Sequence, residues 1–307
     1  MENKIITVLG PISEDAFGKV LPHEHIMVDF KGPGESGRSR YRSEHVIEIM
    51  KPLLTAAADT GVEGFVDCTP MYMARDPLIL AELSRQTGLH IVTNTGYYKA
   101  PFLPGDIALQ DEKSIAESWI SEWEYGIGET GIRPGFIKTA VNPEPLGPIE
   151  KKMIAAGARV MNTTGLPMMT HTLFADRAMD IIKILESRGA DPGRWIFAHA
   201  FREPVFGKIV TAAKEGIWIG LDGIGEDSCE KHADLTVDLL NLGFEDQLLL
   251  SQDAGWYRVG EEPGGLKKPF TFLFDRFLPC LSDRGIPDET IAKMTAANPA
   301  RAFAVQI

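Results

Sequence analysis

The sequence predicts an α/β protein, a (β/α)8 TIM barrel with a short N-terminal β cap and a C-terminal helix. Three observations carry this. Short apolar runs alternate with longer segments of helical periodicity along the 307 residues. There are eight such runs, and they are apolar throughout, as strands of a parallel sheet covered by helices on its outer face are. Eight strand–helix repeats close most economically into a barrel. An open doubly wound sheet is the competing architecture, but the first strand runs into HEHIMVDF and not into a glycine-rich pyrophosphate turn.

Taken in order, residues before Val20 read as a short strand or hairpin capping the barrel bottom. The barrel strands are expected at 20–25, 64–68, 90–94, 135–140, 168–171, 195–199, 217–221 and 248–251. Helices are expected at 44–59, 76–87, 112–125, 149–163, 175–187, 203–214 and 235–242, then 267–281 after the last strand. In 175–187, Met179, Ile182 and Leu185 recur at spacing three, with Ile181 on the neighbouring row, which makes one buried stripe. Residues 287–307 read as a terminal helix, and the connections at 32–40 and 257–269 as long glycine-containing loops over the barrel mouth. No linker, repeat or low-complexity segment divides the chain, so residues 1–307 are read as one domain.

Composition narrows the partners. With 31 Lys+Arg against 43 Asp+Glu the net charge is −12, and such a field repels phosphate backbones and anionic headgroups. Neither nucleic acid nor a membrane is expected as a partner; a small-molecule substrate is. The apolar run at the start, Ile5 to Leu9, is too short for a signal-peptide core, and none elsewhere reaches the ~18 residues of a membrane span. Cys68, Cys229 and Cys280 stand far apart without a CxxC pair, which fits a reducing compartment. The localisation read from this is cytoplasmic.

The chemistry is expected where barrel strands end, because carboxyl-terminal strand ends and the loops after them build the sites of this fold. Four of the seven histidines fall there. His23 and His25, two apart on the first strand, face the same way. His171 ends the fifth strand and His199 the sixth, Asp253 follows the eighth, and Lys138 lies near the end of the fourth. Imidazole nitrogen and carboxylate oxygen together suit zinc or a similar divalent ion. His45, His90 and His232 lie away from strand ends and read as structural or surface residues. An ammonium inside a barrel is costly unless paired or altered. Lys138 therefore either pairs with Asp253 or Asp67, or reacts with carbon dioxide to become an anionic carbamate between two cations.

The stretches LPHEHI, GFIKTA, THT, LDGIG, SQDAGW and NPARAF, with His199, run in order from about Val8 to Phe303. Together they resemble the phosphotriesterase-related family of the amidohydrolase superfamily. That resemblance implies two divalent metal ions per chain, usually Zn2+, with Mn2+ or Co2+ as other occupants. It also implies that Lys138, as N6-carboxylysine, and a hydroxide bridge them. His23, His25 and Asp253 would hold the more buried ion and His171 and His199 the more exposed one. Asp253 would also act catalytically, taking the hydroxide proton and passing it to the leaving group. A homodimer is likewise what the family suggests.

Family members include lactonases and organophosphate triesterases. Lactone hydrolysis is the first expectation here, triester or other ester hydrolysis the alternative. A mononuclear lyase or isomerase and a binding protein with a vestigial site are the remaining readings. Tyr97 is expected to orient the substrate, and Arg202 and Arg258 to grip a carboxylate or phosphate on a sugar-like lactone. The chain departs from the family after His199, which is followed by Ala-Phe-Arg-Glu-Pro, at Gln252, where histidine is common, and at Gly223, where several lactonases carry arginine. These departures speak against acyl-homoserine lactones.

Overall fold

The computed structural model describes residues 2–307. Its barrel strands are Lys19–Val28, Val62–Asp67, His90–Val92 continued by Asn94–Thr95, Phe136–Ala140, Met168–His171, Trp195–Ala198, Trp218–Leu221, and Leu248–Leu250 continued by Gly255–Arg258. The third and eighth strands are thus each broken once, and every pairing between neighbours is parallel. Closure occurs where the eighth strand meets the first. Gly255 is in register with His25, the Asp253 N–H donates to the His23 carbonyl at 3.1 Å, and the His25 N–H donates to the Ala254 carbonyl at 3.0 Å. Gly255 has φ +90°, and a Cβ there would stand 2.0 Å from the His25 carbonyl oxygen. Only glycine lets the barrel close at this point.

The wall of the barrel explains why its strands read as unbroken apolar runs. Val20, Val66, Val92, Phe136, Met169, Ile196, Trp218 and Leu249 form one buried cluster inside, closed below by Ile5, Phe17 and Phe303. Their neighbours Leu21, Phe65, Ile91, Ile137, Met168, Phe197, Ile219 and Leu248 belong to a second cluster with the helices. Side chains alternate between faces, and both faces are dry. The cap expected below the barrel is the hairpin Asn3–Thr7 and Gly10–Ser13.

Differences from the sequence expectation have local causes. The chain does not stay helical to its end. After Asn298–Phe303 it forms the strand Val305–Gln306, which pairs with Asn3–Thr7 and so satisfies backbone groups that a frayed helix end would leave bare. The seventh helix is Cys229–Asn241 and begins six residues before the expected 235. Its buried stripe is His232, Ala233, Thr236 and Leu239, and two of these are polar, so apolar spacing alone misses its first turns. The expected helix 267–281 is irregular through Thr271 and helical only over Leu273–Phe277 and Leu278–Asp283. The sixth helix shrinks to Phe206–Ala213, because the Glu203 carboxylate turns back to accept the Ala175 and Val205 N–H groups at 3.0 Å each. The 32–40 loop is tied down by Arg38 on Asp76 and Arg40 on Asp29. Asp76 also caps the helix Pro77–Thr87, accepting from Leu78 and Ile79. Among the described residues no helix is long and apolar enough to cross a membrane.

Candidate metal centre

The six side chains expected at strand ends meet. His23, His25, Lys138, His171, His199 and Asp253 all line one cavity of about 60 Å³, with Val28, Phe30, Pro70, Met73, Tyr98 and Trp256 making up the rest of its wall. Ring centroids of His23 lie 5.7 Å from His25 and 5.0 Å from His199, and His171 lies 4.4 Å from His199. Two of these residues have left-handed backbone, His199 at φ 65° and Asp253 at φ 50°. Such strain in residues with a Cβ concentrates at functional sites.

Outward-facing ring nitrogens are already taken, which aims the others inward. At the end of the seventh strand Asp222 sits 2.7 Å from His23 Nδ1 through Oδ2. Its Oδ1 meets His199 Nδ1, and the His199 N–H donates to Oδ2 at 3.0 Å. Thr69 Oγ1 holds His25 Nδ1 at 2.8 Å. The Asp222 carboxylate only accepts, so it fixes Nδ1–H in His23 and His199 and leaves their Nε2 as the metal-binding atoms, while Thr69 orients the His25 ring. Burial is the main force pushing His23 down to about 4, with Lys138 adding to it, and burial also lowers His25 and His171. All three rings are therefore neutral at pH 7, the form that ligates. Burial opposes ionisation of Asp222 and Asp253, but the histidines around them outweigh it and hold both below the usual carboxylate range.

The donor set fits a divalent cation pair on two further observations. Asp253 Oδ1 is buried 3.2 Å from His25 Nε2 and makes no hydrogen bond. A buried charged oxygen without a donor is costly unless a cation faces it. Lys138 is 1% exposed, and its Nζ touches only His23 Nε2 and Met169 Sδ, each at 3.2 Å. Among the described residues it makes no ion pair, so neither Asp67 nor Asp253 neutralises it. His23, His25 and Asp253 bring one ligand atom each to within 4.8 Å of one another. His23, His199 and Asp222 do the same, but there the atoms are already hydrogen-bonded, so Asp222 orients ligands and is not one itself.

Asp222 was not recognised from the sequence, although it stands in LDGIG. Its role depends on two histidines from other strands, and no spacing signals that. Asp222→Asn keeps the shape and removes the charge that holds both rings. It is expected to weaken divalent metal binding by about 10–100-fold with the circular dichroism spectrum unchanged. Unaltered affinity in a metal titration would show that the rings need no such anchor.

The residues expected to contact substrate fall elsewhere. Tyr97 is 5% exposed and packs against Trp119 and Tyr72 behind the cavity wall, whereas its neighbour Tyr98 lines the cavity with its ring 5.3 Å from His171. Gly96, at φ +109°, turns the chain just before them. Arg202 is exposed and lies over the Phe201 ring at 4.9 Å, and Arg258 is exposed 3.6 Å from Glu261. Neither arginine lines the cavity. Arg202 is carried outward by the short turn after His199, and Arg258, the last residue of the closing strand, points its side chain to solvent.

Comparison with known proteins agrees with this geometry. Residues 3–303 match the Phosphotriesterase family. The phosphotriesterase homology protein of Escherichia coli (strain K12) is 27% identical over 297 residues, 95% of this chain and 100% of that protein. The aryldialkylphosphatase of Saccharolobus solfataricus is 26% identical over 95% of this chain and 96% of its own. A mutant of the organophosphorus hydrolase from Deinococcus radiodurans superposes with a TM-score of 0.89 at 30% identity, covering 99% of this chain and 97% of that one. A mutant of a phosphotriesterase-like lactonase from the same organism gives 0.89 at 30% identity, over 97% and 99%. With a match over nearly its whole length, the chain belongs to the phosphotriesterase family.

Proposed function

We propose that this chain is a metal-dependent hydrolase whose substrates are neutral lactones. The observation that carries the reading is the convergence of six donor side chains on one cavity, with an orphan carboxylate oxygen and an unpaired buried amine among them. His23, His25 and Asp253 would hold one cation, His171 and His199 the other, with Lys138 as its carbamate between them. When bound, the cations supply acidified water as a nucleophile at neutral pH and a Lewis acid for the attacked group.

The chain's own residues do the rest. Asp253 is ionised; with Oδ1 turned to a cation, its other carboxylate oxygen would accept a proton from the attacking water and return it to the departing alkoxide oxygen. Tyr98 keeps its proton, since burial raises its hydroxyl far above neutrality, and it can donate to a substrate oxygen from beside His171. Trp256, 4.5 Å from His25, and Phe30, stacked 5.9 Å from Trp256, give the mouth an apolar rim. Apart from Lys138 no lysine or arginine lines it. That rim suits an uncharged ring. Lys99, over the Tyr98 ring at 5.8 Å, is a cation beside it but outside its lining and is held to the Val141 carbonyl at 3.4 Å, and neither Arg202 nor Arg258 reaches the cavity to play the role expected of them.

The test is acid release across neutral, phosphorylated and homoserine lactones, aryl triesters and N-acyl amides, with and without chelator. Neutral lactones are expected to exceed the other classes in kcat/KM by about tenfold or more, roughly 1.4 kcal/mol in the transition state, and chelator is expected to abolish turnover. Turnover of triesters or amides alone would overturn the substrate assignment, and chelator-resistant turnover would overturn the metal dependence.

A further inference from the structure

Two of the three cysteines, 51 positions apart in sequence (280 − 229), meet in space. Cys229 opens the helix Cys229–Asn241, and Cys280 lies in Leu278–Asp283. Their sulfurs and a Glu230 carboxylate oxygen all lie within 4.8 Å of one another. Both thiols are partly exposed, while Cys68 is buried. Arg284 places Nη1 on Cys280 Sγ and Nη2 on the Glu230 carboxylate, with Asp234 at 3.4 Å. The Arg284 guanidinium already engages the Cys280 sulfur and the Glu230 carboxylate, so the cluster reads as a thiol pair and not as a cation site.

The segments that lead into the two thiol-bearing helices, after the seventh and eighth strands, frame a cavity beside the metal centre on the same face of the barrel. Residues just before Cys229, from Gly223 to Ser228, and residues ahead of Cys280, namely Lys268, Pro269, Thr271, Phe272, Asp275 and Arg276, line a cavity of about 750 Å³, together with Gln252 and Ala254 on either side of Asp253. The first helix and the segment that leads into the second are also bonded to the centre's support. His232, on the first helix, meets the Asp222 carbonyl at 3.2 Å. On the other side Gln252 donates to the Phe270 carbonyl at 2.7 Å and accepts the Leu273 N–H at 2.9 Å. A covalent link between Cys229 and Cys280 therefore fixes the separation of the two walls beside Asp222 and Asp253.

We propose that Cys229 and Cys280 form a reversible disulfide latch that sets the opening of this second cavity, with a low-molecular-weight disulfide as the oxidant. Cys280, against which Arg284 rests, attacks one sulfur of R–S–S–R, and the first R–SH leaves with the thiol proton. Cys229 then attacks the Cys280 sulfur and releases the second R–SH with its own proton. Two protein thiols are oxidised to one disulfide and one external disulfide is reduced to two thiols. Closure brings the sulfurs from within 4.8 Å to about 2 Å. In a reducing compartment the pair rests as dithiol and closes under oxidative load.

The test needs no enzymatic activity and so is independent of the hydrolase reading. The full-length protein is treated with glutathione disulfide, then mapped by peptide mass spectrometry and by hydrogen exchange. A Cys229–Cys280 peptide link that dithiothreitol reverses is expected, with exchange at 223–228 and 271–276 slowed by about tenfold. Neither effect is expected in Cys229→Ser or Cys280→Ser, and Cys68 should stay unmodified throughout. Separate glutathione adducts on the two cysteines, no modification at all, or a disulfide that leaves exchange at both walls unchanged would each overturn the latch.

Discussion

Lys138→Met is expected to lower turnover by about 10³-fold or more, some 4 kcal/mol of transition-state stabilisation, and to reduce bound divalent metal by about one ion per chain. The fold should survive it. Lys138 is among the largest fully buried side chains, its ammonium has no carboxylate partner, and Met169 sulfur is already one of its two contacts. Methionine fills a similar volume and buries no charge. Replacing an uncompensated buried charge by an apolar group of like shape is often neutral or stabilising. The melting temperature of the metal-free variant should therefore equal or exceed that of the metal-free parent. A lysine kept for structure gives the opposite pattern, a lower melting temperature with metal content unchanged. Elemental analysis and calorimetry on the same two proteins separate these outcomes, and retention of both ions with turnover within about threefold of the parent would remove Lys138 from the centre.

The sequence makes the barrel legible because both faces of its wall are dry. Leu21 and Val20, or Phe65 and Val66, are buried on opposite sides, so eight runs stand out against the amphipathic helices between them. Most of the site is legible for a related reason. A polar side chain inside or at the end of an apolar strand stands out, as do Lys138, His171, His199 and Asp253 near strand ends and the pair His23 and His25, which the strand Lys19–Val28 carries in its middle. What stays hidden depends on contacts between distant elements. Asp222 gains its role only when His23 and His199 arrive from two other strands. The choice of Tyr98 over Tyr97 depends on the irregular backbone after Asn94–Thr95, where strand alternation no longer applies. Cys229 and Cys280 look unpaired along the chain, and only the folding back of the segment after the eighth strand brings them together.

Asp253 allows chemistry and fold to be separated by the choice of replacement. Its backbone is left-handed at φ 50°, its N–H closes the barrel onto the His23 carbonyl, and its own carbonyl accepts the Trp256 indole N–H at 2.8 Å. Asparagine adopts that backbone region readily, whereas alanine does so at a cost of about 1 kcal/mol. Asp253→Asn should therefore leave the melting temperature of the metal-free protein close to the parent's, and Asp253→Ala should lower it. Turnover follows charge and not backbone. Neither variant has an anionic oxygen to face a cation or accept a proton, so both are expected to lose about 10³-fold or more, the scale on which a general base and a metal ligand removed together are felt. Loss of turnover should thus be shared while loss of stability is not. An asparagine variant that retains more than about a tenth of the parent rate would show that this carboxylate neither ligates nor transfers the proton, and that its unpaired oxygen serves only to shape the cavity.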